Sequence, residues 1–239
     1  MKKAVTLLDR MRSVEERLAR ACAARGRKRE DVTVIAVTKY VSVAAAEAIV
    51  KAGIRHIGEN RWPDAKAKWE ALQGQAVFHY IGTLQTNKVK HVVGRFDYIH
   101  SLDRLSLAEA IHSRASSLGI KVPCFIQVNV SGEATKHGLS PEELPDFVRQ
   151  LRPFTAIKPI GLMTMAPYTD DPEKTRPVFR GLRQLRDDLN RAALTEEPLT
   201  ELSMGMSGDF EVAVEEGATW VRLGTVLVGN AEEETPWES

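Results

Sequence analysis

The sequence predicts an α/β fold, a parallel sheet closed into a (β/α)8 TIM barrel and preceded by an additional N-terminal helix. Three observations lead there. Short β-branched runs alternate with helical stretches from residue 32 almost to the C-terminus, about eight such runs occur, and none carries a glycine-rich dinucleotide loop. An open doubly wound sheet has the same periodicity, but the strand count and the missing loop favour the barrel.

The first element is helical. Leu8, Met11, Val14, Leu18 and Cys22 recur at helical spacing ahead of Gly26, so residues 1–26 are expected to form an amphipathic helix. Strands are then expected at 32–38 (VTVIAVT), 54–57 (IRHI), 77–81 (VFHYI), 97–100 (DYIH), 122–130 (VPCFIQVNV), 157–163 (IKPIGLM), 199–203 (LTELS) and 219–223 (TWVRL). Runs 54–57 and 199–203 are weak taken alone, whereas the continuous apolar run at 122–130 suits a sheet covered on both faces.

Helix punctuation fills the intervals. Ser42 is placed to cap a helix ending at Gly53. Ser140-Pro141-Glu142-Glu143 combines a capping box with proline at the first helical position, and Asp171-Pro172 repeats the device. No Pro/Gly/Ser-rich linker, low-complexity tract or fixed-period repeat divides the chain. Residues 1–239 are therefore read as one barrel domain with a short tail at 230–239.

Composition narrows the function classes. With 43% hydrophobic and 27% charged residues the chain can bury a full core. A net charge of +1 opposes nonspecific nucleic-acid binding, and the cluster Lys88, Lys90, His91 and Arg95 reads as a solvated helix face. Two cysteines, Cys22 and Cys124, are too far apart for a metal motif and too few for a disulfide framework, which fits a reducing cytoplasm. Asp9 and Arg10 interrupt the apolar N-terminal stretch, so neither a signal peptide nor a membrane span is expected.

In a parallel barrel the reactive groups sit where strands end. Lys39 closes the first strand, Glu59 and Asn60 the second, Gly82 the third, Ser101 the fourth and Asn129 the fifth. Met163 with Thr164, Ser203, and Arg222 with Gly224 and Thr225 close the last three. Strand ends are commonly polar, which accounts for any one of Asn60, Ser101 or Asn129. Lys39 differs, because an ammonium pressed against Val34, Ile35, Ala36 and Val37 either snorkels to solvent or becomes a neutral amine suited to Schiff-base formation. The stretch LSMGMSGD places Ser203, Gly205, Ser207 and Gly208 ahead of an apparent helix, where hydroxyls and free N–H groups could hold a phosphate, and Gly224-Thr225 opens a second such turn. Arg222, inside an apolar strand, is either one half of an ion pair or a permanent donor to a ring nitrogen. Amine, phosphate cradle and arginine are three parts of a pyridoxal 5′-phosphate (PLP) site.

The segments VIAVTKY, HIGENRW, FHYIGTLQTNK, IHSLDR, IQVNVSGEATKHG, IGLMTM, LSMGMSGD and VRLGT, in this order, resemble the PLP homeostasis protein family. The resemblance implies a barrel similar to the N-terminal domain of alanine racemase, with PLP held as a Schiff base on Lys39. It implies Ser207, Gly224 and Thr225 as phosphate ligands and Arg222 as the partner of the pyridine nitrogen. Asn60, His79, Met163 and Ser203 would line the ring and phosphate, and Lys136 resembles a family lysine near the pocket mouth. Two departures stand out: Arg61-Trp62 follow GEN where many members carry tyrosine and valine, and Tyr40 follows Lys39 where many carry threonine.

The role the resemblance implies is a protein that buffers or delivers PLP without substantial catalysis, with apo PLP-dependent enzymes as candidate recipients; the cysteine usage adds a cytoplasmic setting and the closed single-domain barrel a monomer. No second, β-rich domain is expected after the barrel, and such a domain completes the active site of alanine racemases. An arginine at the pyridine nitrogen also weakens the cofactor as an electron sink. The alternatives are a PLP-dependent amino-acid racemase or lyase, with His79, Tyr40 or Lys136 moving the proton, and a barrel that binds a sugar phosphate without PLP.

Overall fold

The computed structural model describes residues 5–229. Eight parallel strands close in strictly sequential order, β1 pairing with both β2 and β8. They are β1 (Thr33–Val37), β2 (His56–Glu59), β3 (Val77–Tyr80), β4 (Tyr98–Leu102), β5 (Val122–Gln127), β6 (Ile157–Met163), β7 (Glu201–Ser203) and β8 (Trp220–Leu223). The fold expected from the alternating pattern is the fold found.

Helices cover the outside: α1 (Leu7–Ala23), α2 (Val43–Lys51), α3 (Trp62–Leu72), α4 (Val89–Val92), α5 (Leu105–Leu118), α6 (Leu144–Gln150), α7 (Arg176–Arg191), α8 (Phe210–Glu215) and α9 (Thr225–Val228). The additional helix α1 starts at a reciprocal capping box between Thr6 and Asp9 and buries Val14, Leu18, Ala21 and Cys22. Leu8, read as part of that apolar face, is 63% exposed instead. Residues 1–4 of the expected helix and the 230–239 tail lie outside the described residues.

The expected boundaries move where side chains or caps capture the backbone. The second strand begins at His56 rather than residue 54 because the Ile54 N–H turns back to the Ile49 carbonyl at 3.2 Å. The fifth ends at Gln127 rather than 130, since Asn129 leaves the sheet and pairs its N–H with the Leu139 carbonyl at 2.8 Å. Ser42 caps α2 as expected, its hydroxyl accepting from the Ala45 N–H. The Ser140–Glu143 box also forms, but it folds as a turn and the α-helix starts one residue later at Leu144. The basic cluster is not one solvated helix face: His91 stacks on Trp62, and the Arg95 guanidinium sits over Trp62 and Trp69.

Two apolar groups form. The larger lies between sheet and helices. The smaller, Ile35, Phe125, Met163 and Trp220 with Tyr98, Ile160 and Met165 against it, fills the barrel interior. Strand alternation separates the two, one parity facing the helices and the other the barrel axis. Cys22 and Cys124 are buried and unbonded to each other. No helix among the described residues is long and apolar enough to cross a membrane.

Candidate cofactor site

Ile35 faces the barrel axis, so the same parity carries Val37 and then Lys39 to the inner side of the mouth at the C-terminal ends of the strands. There a cavity of about 850 Å³ opens, and Lys39, Tyr40, Ser207, Arg222, Gly224 and Thr225 contribute to its lining. Lys39 is half-buried, its Nζ 4.9 Å from the centre of the Tyr40 ring.

The neighbouring parity holds the lysine's backbone in place. Thr38 points outward, and its hydroxyl donates to Glu59 Oε1 at 2.6 Å. Lys68, reaching in from α3, donates to the same oxygen at 2.8 Å and to the Thr38 carbonyl at 2.5 Å. Glu59 is fully buried and Lys68 is 4% exposed, so this clamp lies out of reach of water on the far side of the strand from the cavity. Glu59 Oε2 has no hydrogen-bond partner.

The opposite wall comes from the last two strands. Gly205 takes φ +93°, and a Cβ there would lie 2.6 Å from the Ala213 Cβ, which explains glycine in the first turn. Asp209 accepts the Met206 N–H at 2.6 Å and tightens the loop, and burial raises its carboxyl above the ordinary range. Ser207 Oγ accepts from the Gly224 N–H at 3.1 Å and the Val226 N–H at 3.4 Å. The two glycine turns are thereby stitched into one surface.

Arg222 faces the same space from β8. It is 4% exposed, and its Nη1 donates to Ser203 Oγ at 2.6 Å while Nη2 donates to the Thr164 carbonyl at 2.9 Å. Both partners are neutral. Burial pushes its pKa down to about 10 against the opposing pull of Asp209. Behind Ser203 a row of histidines crosses the barrel interior: His100 Nδ1 lies 2.9 Å from Ser203 Oγ, His100 Nε2 2.9 Å from His79 Nδ1, and His79 Nε2 3.0 Å from His56 Nδ1. Burial holds the pKa of all three below the usual histidine value, well below for His79 and His100.

Of the nine residues expected at the site, Lys39, Ser207, Arg222, Gly224 and Thr225 share the one cavity. Ser203 stands one hydrogen bond behind it, through Arg222. Met163 and His79 are buried in the barrel interior and do not line the mouth. Asn60 follows β2, half-buried and outside the cavity lining. A Cβ on Gly82 would sit 2.6 Å from its carbonyl oxygen, so Gly82 is there for close backbone approach. Lys136 lies in the loop after β5, where Asn129 Nδ2 donates to the Glu133 and Lys136 carbonyls, and it too is absent from the lining. Sequence reasoning missed Lys68, His56 and His100. For the histidines a signal existed, since each occupies an inward position on one of three consecutive strands.

The match to known proteins covers nearly the whole chain. The family model for the alanine racemase N-terminal domain matches residues 15–232. A pyridoxal phosphate homeostasis protein of Aquifex aeolicus is 44% identical over 222 residues, covering 92% of this chain and 96% of its own length. The chain belongs to the pyridoxal phosphate homeostasis protein family. The Pseudomonas aeruginosa relative of that name is 36% identical over 225 residues, covering 94% of this chain and 95% of its own. Among solved structures, PipY of Synechococcus elongatus with PLP bound superposes with a TM-score of 0.78 at 37% identity, covering 90% of this chain and all of that one. Alanine racemase of Clostridium difficile, at 18% identity and a TM-score of 0.69 over 95% of this chain and 58% of its own, shares the fold.

Proposed function

We propose that this chain binds pyridoxal 5′-phosphate in the mouth cavity and serves PLP homeostasis by holding the cofactor as a Schiff base on Lys39 and buffering or delivering it. One observation carries the reading: an amine, a buried guanidinium and a hydroxyl stitched to two backbone N–H groups converge on one cavity, in a family whose member PipY has been solved with PLP. The residues present fit the group. Lys39 offers the amine for an aldehyde; the hydroxyls of Ser207, oriented by the Gly224 and Val226 N–H groups, and of Thr225 offer donors for a dianion, and Arg222 offers N–H donors for a ring nitrogen. Bound PLP supplies a reactive aldehyde and an electron-withdrawing ring.

The protein's own contribution is mostly restraint. Arg222 has no proton to accept and only donors to give, so it keeps the ring nitrogen unprotonated and the electron sink weak. Ser203 and Thr164 fix the guanidinium plane. Met163, Asn60 and His79, the other expected neighbours of the ligand, lie outside the lining of the cavity. The reading places the protein in the cytoplasm, as a monomer, with apo PLP-dependent enzymes as its recipients. Residues for carbanion chemistry are sparse: His79 is sealed in the interior, Lys136 is off the cavity, and Tyr40, 73% exposed at the rim, is the remaining proton carrier of the racemase or lyase alternative.

The test is spectroscopic. Purified protein mixed with PLP is expected to develop the absorbance of an imine, to be fixed by borohydride, and to yield a modified peptide containing Lys39. A colourless protein, or a tag elsewhere, overturns the assignment. Delivery is tested by activation of an apo-enzyme with the loaded protein against free PLP. Exchange of an amino-acid α-proton with deuterium, abolished by Tyr40→Phe, would establish the enzyme alternative instead.

A further inference from the structure

Arginine carries only N–H donors, so Ser203 Oγ accepts from Arg222 across their 2.6 Å contact. The hydroxyl still has its own proton to place, and His100 Nδ1, 2.9 Å away, is its other partner. If Ser203 donates there, the single proton of neutral His100 lies on Nε2 and is donated to His79 Nδ1. The same logic puts the His79 proton on Nε2, donated to His56 Nδ1, and the His56 proton on Nε2. The reverse assignment strands the Ser203 proton in a dry interior and turns three N–H groups toward a buried cation. The forward one turns every bare ring nitrogen toward the guanidinium and every N–H away from it.

Two further facts agree with this direction. Burial, then the neighbouring histidine, keeps His79 and His100 neutral, as one proton per link requires. The hydrogen-bond partners of Arg222, Ser203 and Thr164, are uncharged, so at contact distance the guanidinium is solvated by oriented dipoles, with the Asp209 carboxyl acting on it only through space. The far end of the row is open: His56 is half-buried and lines a second cavity of about 490 Å³ near the starts of β1 and β2, where its last N–H can meet water.

We propose that His56, His79 and His100 are positioning residues forming a one-directional hydrogen-bonded column, all three protonated on Nε2, which solvates the Arg222 guanidinium through Ser203 and holds its remaining donors toward the mouth cavity. The column is a property of the protein without ligand. It stands or falls separately from the assignment of PLP to the cavity.

Long-range nitrogen–proton NMR of the imidazoles in ligand-free protein tests it. His112 is the internal reference, because its Nδ1 accepts the Ala156 N–H at 3.2 Å and its proton is therefore on Nε2. The wild-type protein is expected to give the His112 pattern for His56, His79 and His100 near neutral pH; an Nδ1 proton on any of the three overturns the column, with no variant needed. In Arg222→Met the donor that sets the direction is gone, and the rings are expected to pass from one tautomer to a mixture of both. A folded Arg222→Met protein with all three rings unchanged shows that the guanidinium does not set the direction. His100→Phe keeps the ring stack on Phe125 (4.2 Å between centroids) and removes the link. The guanidinium protons of Arg222 are then expected to exchange at least tenfold faster than in the wild-type protein. Unchanged exchange in that folded variant overturns the positioning role.

Discussion

Among the described residues the barrel buries two basic side chains, Lys68 and Arg222, and treats them in opposite ways. Lys68, outside the sheet, meets a carboxylate of Glu59 and a carbonyl of Thr38, so its charge is spent on holding the strand that carries Lys39. Arg222, inside the sheet, hydrogen-bonds to a hydroxyl and a carbonyl, and its charge is left available to whatever enters the mouth. A buried charge locked in a contact ion pair serves the architecture, and one whose hydrogen bonds go only to neutral groups stays free to meet a ligand.

The contrast breaks first at the paired end. Lys68→Met leaves Glu59 without its buried partner in a dry environment and is expected to cost about 3–5 kcal/mol of unfolding free energy by urea titration. The double replacement of Lys68 with Met and Glu59 with Leu should recover most of it. A small loss in the single variant would mean that the pair is not carrying the strand.

Next comes the dipole medium around Arg222. His79 and His100 bind protons less readily folded than unfolded, so their contribution is whole above about pH 6.5 and is lost as pH falls from there toward the folded-state value. Each should tilt the stability curve by about 1.4 kcal/mol per pH unit in that window, with a smaller share from half-exposed His56. Stability measured from pH 7 to pH 5 in wild type and His79→Phe should show one such slope disappearing.

Arg222→Met should give the mirror image of Lys68→Met. Removing a guanidinium that hydrogen-bonds to no charged group relieves a desolvation cost that the through-space pull of Asp209 offsets only in part, so stability should move by less than about 2 kcal/mol. PLP affinity, followed by equilibrium dialysis, should fall by about tenfold or more because a charge-assisted hydrogen bond is gone. Comparable destabilisation in the two variants would erase the distinction drawn here. The smallest effect belongs to the surface pair: Arg17 holds Glu211 bidentately at 2.9 and 2.7 Å, joining α1 to α8, and Arg17→Ala should cost about 0.5–1 kcal/mol in thermal unfolding.

How far the sequence could be read follows from where each residue's role is decided. The eight strands and their order were legible because a helical stretch separates each β-branched run from the next, the one after β1 being capped by Ser42. Lys39, Ser207, Arg222, Gly224 and Thr225 were legible because strand ends converge on one rim whatever the detailed packing. Lys68 was not. It sits in WPDAKAKWEAL among charges spaced like a solvated helix face, and only the docking of α3 against β1 and β2 carries it inside. His79 was read as a neighbour of the ligand because its motif matched, yet its inward side chain on β3 is enclosed between His56 and His100 and does not line the mouth cavity.

The helix added before the first strand reaches the far end of the chain. Arg10 on α1 donates to the carbonyl of Leu227 at 2.9 Å and, at 3.4 Å, to that of Val228, the last two residues of the short helix opened by Gly224 and Thr225. Whatever lifts the amino-terminal segment, whether a bulky fusion, a protease or a docking neighbour, therefore pulls on the latch beside the mouth cavity and should loosen that wall from behind.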